Sequence, residues 1–320
     1  MMRIVFMGTG EIGIPSLRFL LDSPEYEVVA VVTQPDKPAG RKHELLASEP
    51  KRLALERGIP VLQPIKLRAP ESVAEVAAYQ PDAIVVMAYG QILPKSVLQM
   101  PKLACLNLHA SLLPRHRGAA PIQAAIESGD ATSGVTVMYM AEGLDTGDIL
   151  LEKATPILPT DTGGILHDRL GVIAAEALAE SLPLLQEGRA PRAPQDESRA
   201  TYAAKLSREN GEIVWTDAMD KIDRRIRAMN PWPAAYTFLP TAEGERKLKV
   251  YACAMHPEDS GAPGQVLWAD RRGILVAAGA GAVLLEAVQL EGRKRMSAKD
   301  FLSGHPVAAG VVLGQRAGVA

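Results

Sequence analysis

Four short apolar runs, at residues 3–7, 27–34, 82–88 and 103–109, constrain this chain more than anything else in it. They are aliphatic or β-branched for most of their length, the composition of strands covered on both faces. Helical patterns at 14–22, 49–58 and 71–79 lie between them. Strand and helix in alternation predict an α/β architecture: a doubly wound, Rossmann-like parallel sheet, closed by a long helix over 165–186.

At 320 residues the chain has room for two domains, each burying its own core. A polar, proline-bearing stretch with Pro191, Pro194, Gln195, Asp196, Glu197 and Ser198 reads as a linker. The expected division is a first domain at 1–189, a linker at 190–206 and a second domain at 207–320. The second has a helical pattern at 221–229 and strand candidates at 235–239, 248–255, 264–269, 273–278 and 282–290. Glycines and prolines separate these strands, which predicts a small OB-like β-barrel.

The formal net charge of -2 argues against a strongly basic, dedicated nucleic-acid binder. Charge is nonetheless uneven. Residues 205–320 carry 16 Lys and Arg against 13 Asp and Glu, while residues 1–204 carry 19 against 24, so local basic clusters in the second part remain able to meet phosphate. Two cysteines, Cys105 and Cys253, offer neither a disulfide framework nor a zinc knuckle, and suit a reducing compartment. The chain starts directly on a strand pattern, and no apolar run approaches the roughly 18 residues of a membrane span. A cytoplasmic protein with no membrane partner is expected.

Gly8, Gly10 and Gly13, after the first strand and before the first helix, match the dinucleotide fingerprint G-x-G-x-x-G. That fingerprint also expects an acidic residue about 20 positions on, to hold a ribose. Thr33 and Gln34 occupy those positions, and Asp36 falls in the loop beyond. The glycines are therefore read as a tight strand-to-helix turn, with a nicotinamide enzyme as the weaker alternative.

Asn107 and His109 stand two apart at the end of the fourth run. Their side chains share one face at the carboxyl end of a strand, where α/β sheets bind ligands. Asp145 lies in a loop between Gly143 and Gly147. Amide, imidazole and carboxylate are the parts of an acyl-transfer site: a donor to a developing oxyanion, a group titrating near neutrality, and an acid to orient it. Ser111 lacks the G-x-S-x-G context of a nucleophile elbow, so a serine hydrolase is not expected. His43, His116, His167, His256 and His305 have no metal spacing, and no metal is expected.

Asn107, His109 and Asp145, with Ser111-Leu112-Leu113-Pro114, Arg117-Gly118-Ala119-Ala120-Pro121 and Gly143-Leu144-Asp145-Thr146-Gly147, resemble the 10-formyltetrahydrofolate-dependent formyltransferases. The likeness runs along nearly the whole chain. It includes loop 33–41, Ala88-Tyr89-Gly90-Gln91-Ile92-Leu93-Pro94, Thr201-Tyr202-Ala203-Ala204-Lys205-Leu206 and Asn230-Pro231-Trp232-Pro233. The triplet marks the superfamily, while the loop and the tail domain resemble its tRNA-acting branch.

The resemblance implies transfer of a formyl group from 10-formyltetrahydrofolate, as co-substrate, to the α-amine of initiator methionyl-tRNA. It implies that Asn107 and His109 donate to the oxyanion, and that Asp145 orients His109 and helps take the amine proton. It implies a folate site at Gln91, Ile92 and Leu93, at Ser111, Leu112, Leu113 and Pro114, and at Gly143 and Leu144. The loop with Lys37, Arg41 and Lys42 is expected at the acceptor end of the tRNA. Basic clusters in the second domain, with Arg224, Arg227, Lys247 and Lys249, are candidates to track its backbone. The triplet leaves room for another folate-dependent formyl enzyme, a formyltetrahydrofolate hydrolase or a sugar-amine formyltransferase. A monomer is expected.

Overall fold

The four apolar runs become adjacent inner strands of one sheet. The computed structural model describes residues 1–39, 44–242 and 244–314. The chain divides into two compact units, the first made of Met1–Pro121, Thr132–Pro156 and His167–Ala203 and the second of Ile122–Ala131, Ile157–Leu166 and Ala204–Ala320. Most of the stretch read as a linker thus packs with the first unit.

The first unit holds strands β1 (Met2–Gly8), β2 (Tyr26–Val32), β3 (Val61–Leu62), β4 (Ala83–Met87), β5 (Ala104–His109), β6 (Thr132–Tyr139) and β7 (Ile149–Pro156). Their order is β7-β6-β5-β4-β1-β2-β3. The five strands β1 to β5 run parallel, as expected. The sheet is then extended by β6, antiparallel to both β5 and β7. The connection at 140–148 is too short for the crossover that parallel pairing needs, so the chain returns antiparallel. β6 carries Ser133 and Thr136 among its apolar residues, yet all of it after Thr132 is buried, because it lies inside the sheet.

The glycine fingerprint is accounted for by packing. A Cβ on Gly8 would come within 2.7 Å of Phe6 Cε1 and 2.8 Å of the Met87 carbonyl oxygen; one on Gly13 would sit 3.1 Å from Phe6 Cζ. The backbone N–H groups of Thr9 and Gly10 both donate to the Ala88 carbonyl, at 3.1 and 3.2 Å. The turn is thereby pressed onto the end of β4, and helix Ile14–Asp22 starts with a proline in its first turn.

The second unit holds β8 (Ala235–Thr241), β9 (Gly244–His256), β10 (Val266–Asp270), β11 (Gly273–Ala277) and β12 (Ala282–Leu290). Every pairing along β8-β9-β12-β11-β10 is antiparallel, and the register shifts next to Ala252 in β9, where a bulge bends the strand. Among the described residues no ladder joins the end strands β8 and β10, so the sheet is open. Helix Met219–Ala228 buries Ile222 and Ile226 in the same core as Leu248, Val250, Leu285, Val288 and Phe301. No described helix is long and apolar enough to cross a membrane.

Because backbone as well as a buried ring blocks the space beside Gly8, Gly8→Ala should destabilise the chain by about 1–3 kcal/mol through overpacking. Urea unfolding measures this, and an unchanged midpoint would mean that the turn has room for a methyl group.

Candidate active site

β5 alternates its faces: Asn107 and His109 project on one side, and Leu106 and Leu108 on the other. Asn107 is in register with Val86 of β4 and Met138 of β6, and His109 with Thr136. Thr136 Oγ1 donates to the Ser111 carbonyl at 2.7 Å and accepts the Leu113 N–H at 3.0 Å, which ties the chain beyond β5 onto β6. Ser111 Oγ donates to the Arg115 carbonyl at 2.6 Å, and the Leu113–Pro114 bond is cis.

His109 Nε2 lies 2.9 Å from the His116 carbonyl oxygen. A carbonyl only accepts, so Nε2 carries the proton there. That leaves Nδ1 facing Asp145, 3.7 Å from Oδ2, with the two side chains 6% and 13% exposed. Asp145 Oδ2 also accepts the Gly118 N–H at 2.8 Å, and Oδ1 lies 3.5 Å from Asn107 Nδ2. One carboxylate therefore stands within reach of both the amide and the imidazole. Asp145 adopts the left-handed conformation with φ 52°, which aspartate tolerates better than most residues.

Residues absent from the sequence-derived site hold this arrangement. Arg117 is fully buried. It donates from Nε and Nη2 to Gln195 Oε1 at 3.1 and 2.8 Å, and from Nη1 and Nη2 to Glu197 at 2.8 and 2.6 Å. Gln195 Nε2 donates in turn to the carbonyls of Asp145 and Gly147, at 2.8 and 2.7 Å. The Glu197 contact holds Arg117 above its ordinary pKa against the opposing effect of burial, and the same guanidinium holds the Glu197 carboxyl below its own. Only the Arg-Gly-Ala-Ala-Pro motif and the Gln-Asp-Glu cluster in a proline-bearing stretch hinted at these residues.

The folate candidates gather beside this centre to different degrees. The loop after β4 lies next to Asn107, since Val86 pairs with it. In that loop Leu93 is buried and Ile92 is 88% exposed, while the Gln91 side chain turns to the Leu67 N–H and the Pro64 carbonyl at 2.9 and 3.0 Å. Ser111, Leu113 and Pro114 are buried, Leu112 is half-buried, and Gly143 and Leu144 are exposed. A cavity of about 410 Å³ opens at the carboxyl ends of β1, β2 and β4, lined by Thr9, Gly10, Gln34, Asp36, Tyr89 and Gly90 among others. At its rim Lys51 Nζ donates to Asp36 Oδ2 at 2.6 Å, which helps hold the Asp36 carboxyl below the usual range. Among the described residues no group of three or more His, Cys, Asp or Glu side chains is placed to share a metal ion.

Of the basic candidates, Lys37 lies exposed on the strand Lys37–Ala39, which pairs with Glu44–Leu46; Arg41 and Lys42 fall outside the described residues. Arg224 and Arg227 do not present open cations. Arg224 binds Asp220 Oδ2 at 2.7 Å and the Glu127 carbonyl at 3.3 Å; Arg227 binds Asp223 Oδ2 at 2.8 Å and the Asp161 carbonyl at 3.2 Å. An i,i+4 acid on the same helix captures each guanidinium. Lys247 and Lys249 share a face of β9, with Lys247 Nζ 3.9 Å above the Tyr236 ring. Arg295 adds a second cation on an aromatic ring, 4.5 Å from the centre of Tyr251.

Comparison with known proteins shows the family. Residues 2–182 match the formyl transferase family, and residues 205–306 match the formyl transferase C-terminal domain. The chain belongs to the formyl transferase family. Its relatives include the methionyl-tRNA formyltransferase of Geotalea daltonii, 50% identical over 98% of this chain and 99% of that protein. The methionyl-tRNA formyltransferase of Pseudomonas syringae pv. tomato is likewise 50% identical, again over 98% and 99%. The N-formyltransferase of Helicobacter canadensis, solved with folinic acid and dTDP-3-aminofucose, shares the fold with a TM-score of 0.65. It is 18% identical, over 89% of this chain and 99% of that one.

Glu197 has a folded-state pKa below its ordinary value of 4.5, so its contribution to stability is present above that value and is lost as pH falls through the depressed one. Wild type should therefore melt above Glu197→Gln near neutral pH, and the two curves should converge in strong acid. A gap in melting temperature that stays constant with pH would remove the Arg117–Glu197 pair as its cause.

Proposed function

We propose that this chain transfers the formyl group of 10-formyltetrahydrofolate to the α-amine of initiator methionyl-tRNA, yielding formylmethionyl-tRNA for translation initiation. The observation that carries the reading is the convergence of Asn107 and His109 on the Asp145 carboxylate at the end of β5. It occurs in a chain matched over 98% of its length, at 50% identity, by methionyl-tRNA formyltransferases. Sugar-amine formyl transfer has weaker support, since the sugar-nucleotide-bound neighbour is 18% identical.

The α-amine, with a pKa of about 7.7–8.0, attacks the formyl carbon in its neutral form. The new C–N bond turns the formyl oxygen into an oxyanion, which the Asn107 amide and His109 receive as donors. Because Nε2–H of His109 is held by the His116 carbonyl, His109 donates from Nδ1 only as the imidazolium, with Asp145 beside it to balance the charge. Asp145 takes the amine proton, directly or through a water. Collapse of the tetrahedral intermediate re-forms the carbonyl and breaks the bond to N10 of the folate, which takes up the proton held by Asp145 as it leaves.

The exposed Ile92 and Leu144, with the backbone of 91–93 and 143–144 and the Ser111, Leu112, Leu113 and Pro114 run, form the proposed folate site. Lys37, Arg41 and Lys42 are assigned to the acceptor end, and Lys247 and Lys249 to the tRNA backbone. Arg224 and Arg227 are assigned to internal support. The second unit is read as a partly open barrel of OB type, and the protein as a cytoplasmic monomer without a metal.

Purified protein given 10-formyltetrahydrofolate and a choice of initiator methionyl-tRNA, elongator methionyl-tRNA and amino sugars should formylate the initiator selectively. Folate turnover without tRNA formylation would move the assignment to a hydrolase or a sugar enzyme. Asn107→Ala and Asp145→Asn should each lower kcat about a hundredfold with folding retained; near-normal turnover in either takes that residue out of the chemistry. Lys247→Gln with Lys249→Gln should weaken tRNA binding and flatten the slope of log affinity against log salt by about 1 for each phosphate no longer neutralised. An unchanged slope would dismiss the β9 face as a tRNA surface.

A further inference from the structure

Asp145 is gripped twice by one two-residue segment. Its side chain receives the Gly118 N–H at 2.8 Å. Its main chain is held at one remove by Arg117, through Gln195. The orientation of that glutamine amide is settled by its partners: Oε1 takes two guanidinium N–H groups, so the nitrogen must face the other way. Both of its N–H bonds then go to carbonyls of the 145–147 turn. Arg117 itself has no solvent exposure, and the strand Arg117–Gly118 is pinned by parallel pairing with Tyr202–Ala203. The turn has little freedom of its own: a Cβ on Gly147 would collide with the Tyr139 carbonyl, and Asp145 sits at φ 52°.

We infer that Arg117 and Gln195 are positioning residues for formyl transfer: the buried arginine orients the glutamine, and the glutamine holds the Asp145 carboxylate at Asn107 and His109. The inference rests on the function proposed above. Gln195 meets the 145–147 turn through its backbone carbonyls, so its influence on the reaction runs through Asp145. A carboxylate held at 3.5 Å from the amide and 3.7 Å from the imidazole has little margin. A displacement of about 1 Å is enough to cost a factor on the order of a hundred in rate.

Gln195→Glu is the informative substitution. It keeps the side chain's shape and its acceptor for Arg117, but replaces both donors to the turn with an oxygen that opposes two carbonyls. The expected result is a kcat lowered roughly 10–100-fold, with KM for folate and for methionyl-tRNA within about threefold of wild type. Gln195→Met, which removes both functions, should lose at least as much. In an Asp145→Asn background the Gln195→Glu substitution should cost little further, because two residues acting through one group are not additive.

Hydrogen exchange over residues 143–148 gives a readout independent of any formyl acceptor, and Gln195→Glu should accelerate it at unchanged melting temperature. If the wild type fails to formylate methionyl-tRNA, the proposed function falls while the exchange result still reports on the clamp. Wild-type kcat in Gln195→Glu, a full additional decrease in the Asp145→Asn background, or unaltered exchange at 143–148 would each overturn the positioning role.

Discussion

A guanidinium taken out of water is tolerated only when its N–H groups find acceptors, and leaving it unpaired costs several kcal/mol. In the first unit that constraint falls on Arg117, which is fully buried. Its acceptors come from Gln195 and Glu197, about eighty residues further along the chain. Satisfying the arginine draws the segment around 195–203 against 117–120, where Thr201 and Ala203 add carbonyl acceptors for the N–H groups of Arg117 and Ala119 at 2.8 and 2.9 Å. Gln195, once placed, bonds the turn that carries Asp145. The geometry of the candidate site thus depends on an ion pair that touches none of its three central side chains.

The antiparallel extension of the sheet matters for the same reason. β6 lies beside β5, so that Thr136 ties down the chain leaving His109, and the Met140 N–H bonds the Cys105 carbonyl at 2.8 Å. The return from β6 to β7 then carries Asp145 past Asn107. Together these contacts convert a strand end into a constellation: a histidine whose Nε2 proton is committed to a carbonyl, and a carboxylate shared between the other imidazole nitrogen and an amide. Preorganised donors and charges of this kind are what acyl transfer requires, because reorganising them during reaction would consume the stabilisation they offer.

In the second unit, the basic candidates differ in their local partners. Arg224 and Arg227 sit on an amphipathic helix with acids one turn earlier, and geometry alone commits them to Asp220 and Asp223. Lys247 and Lys249 lie on a strand whose cross-strand neighbours are Phe238 and Tyr236, and the Lys247 ammonium sits over the Tyr236 ring.

Apolar periodicity determined much of this protein. The runs at 3–7, 82–88 and 103–109 became β1, β4 and β5 with ends displaced by a residue or so, and 14–22 and 282–290 match their elements throughout. The period-two placement of Asn107 and His109 is likewise a property of the sequence, since alternation follows from strand geometry itself. What only the tertiary structure decided is long-range and polar. β6 was hidden because its polar residues are buried by neighbours on both sides, and Thr136 is satisfied by partners remote in the chain. The open pairing of the second sheet depends on which strands end unpaired, and composition does not encode that. In the sequence Arg117 is only the first residue of a motif at 117–121, and Gln195 and Glu197 belong to a polar stretch read as a linker. Burial turned them into a clamp, because the cost of an unpaired charge is set by surroundings that the local sequence does not contain.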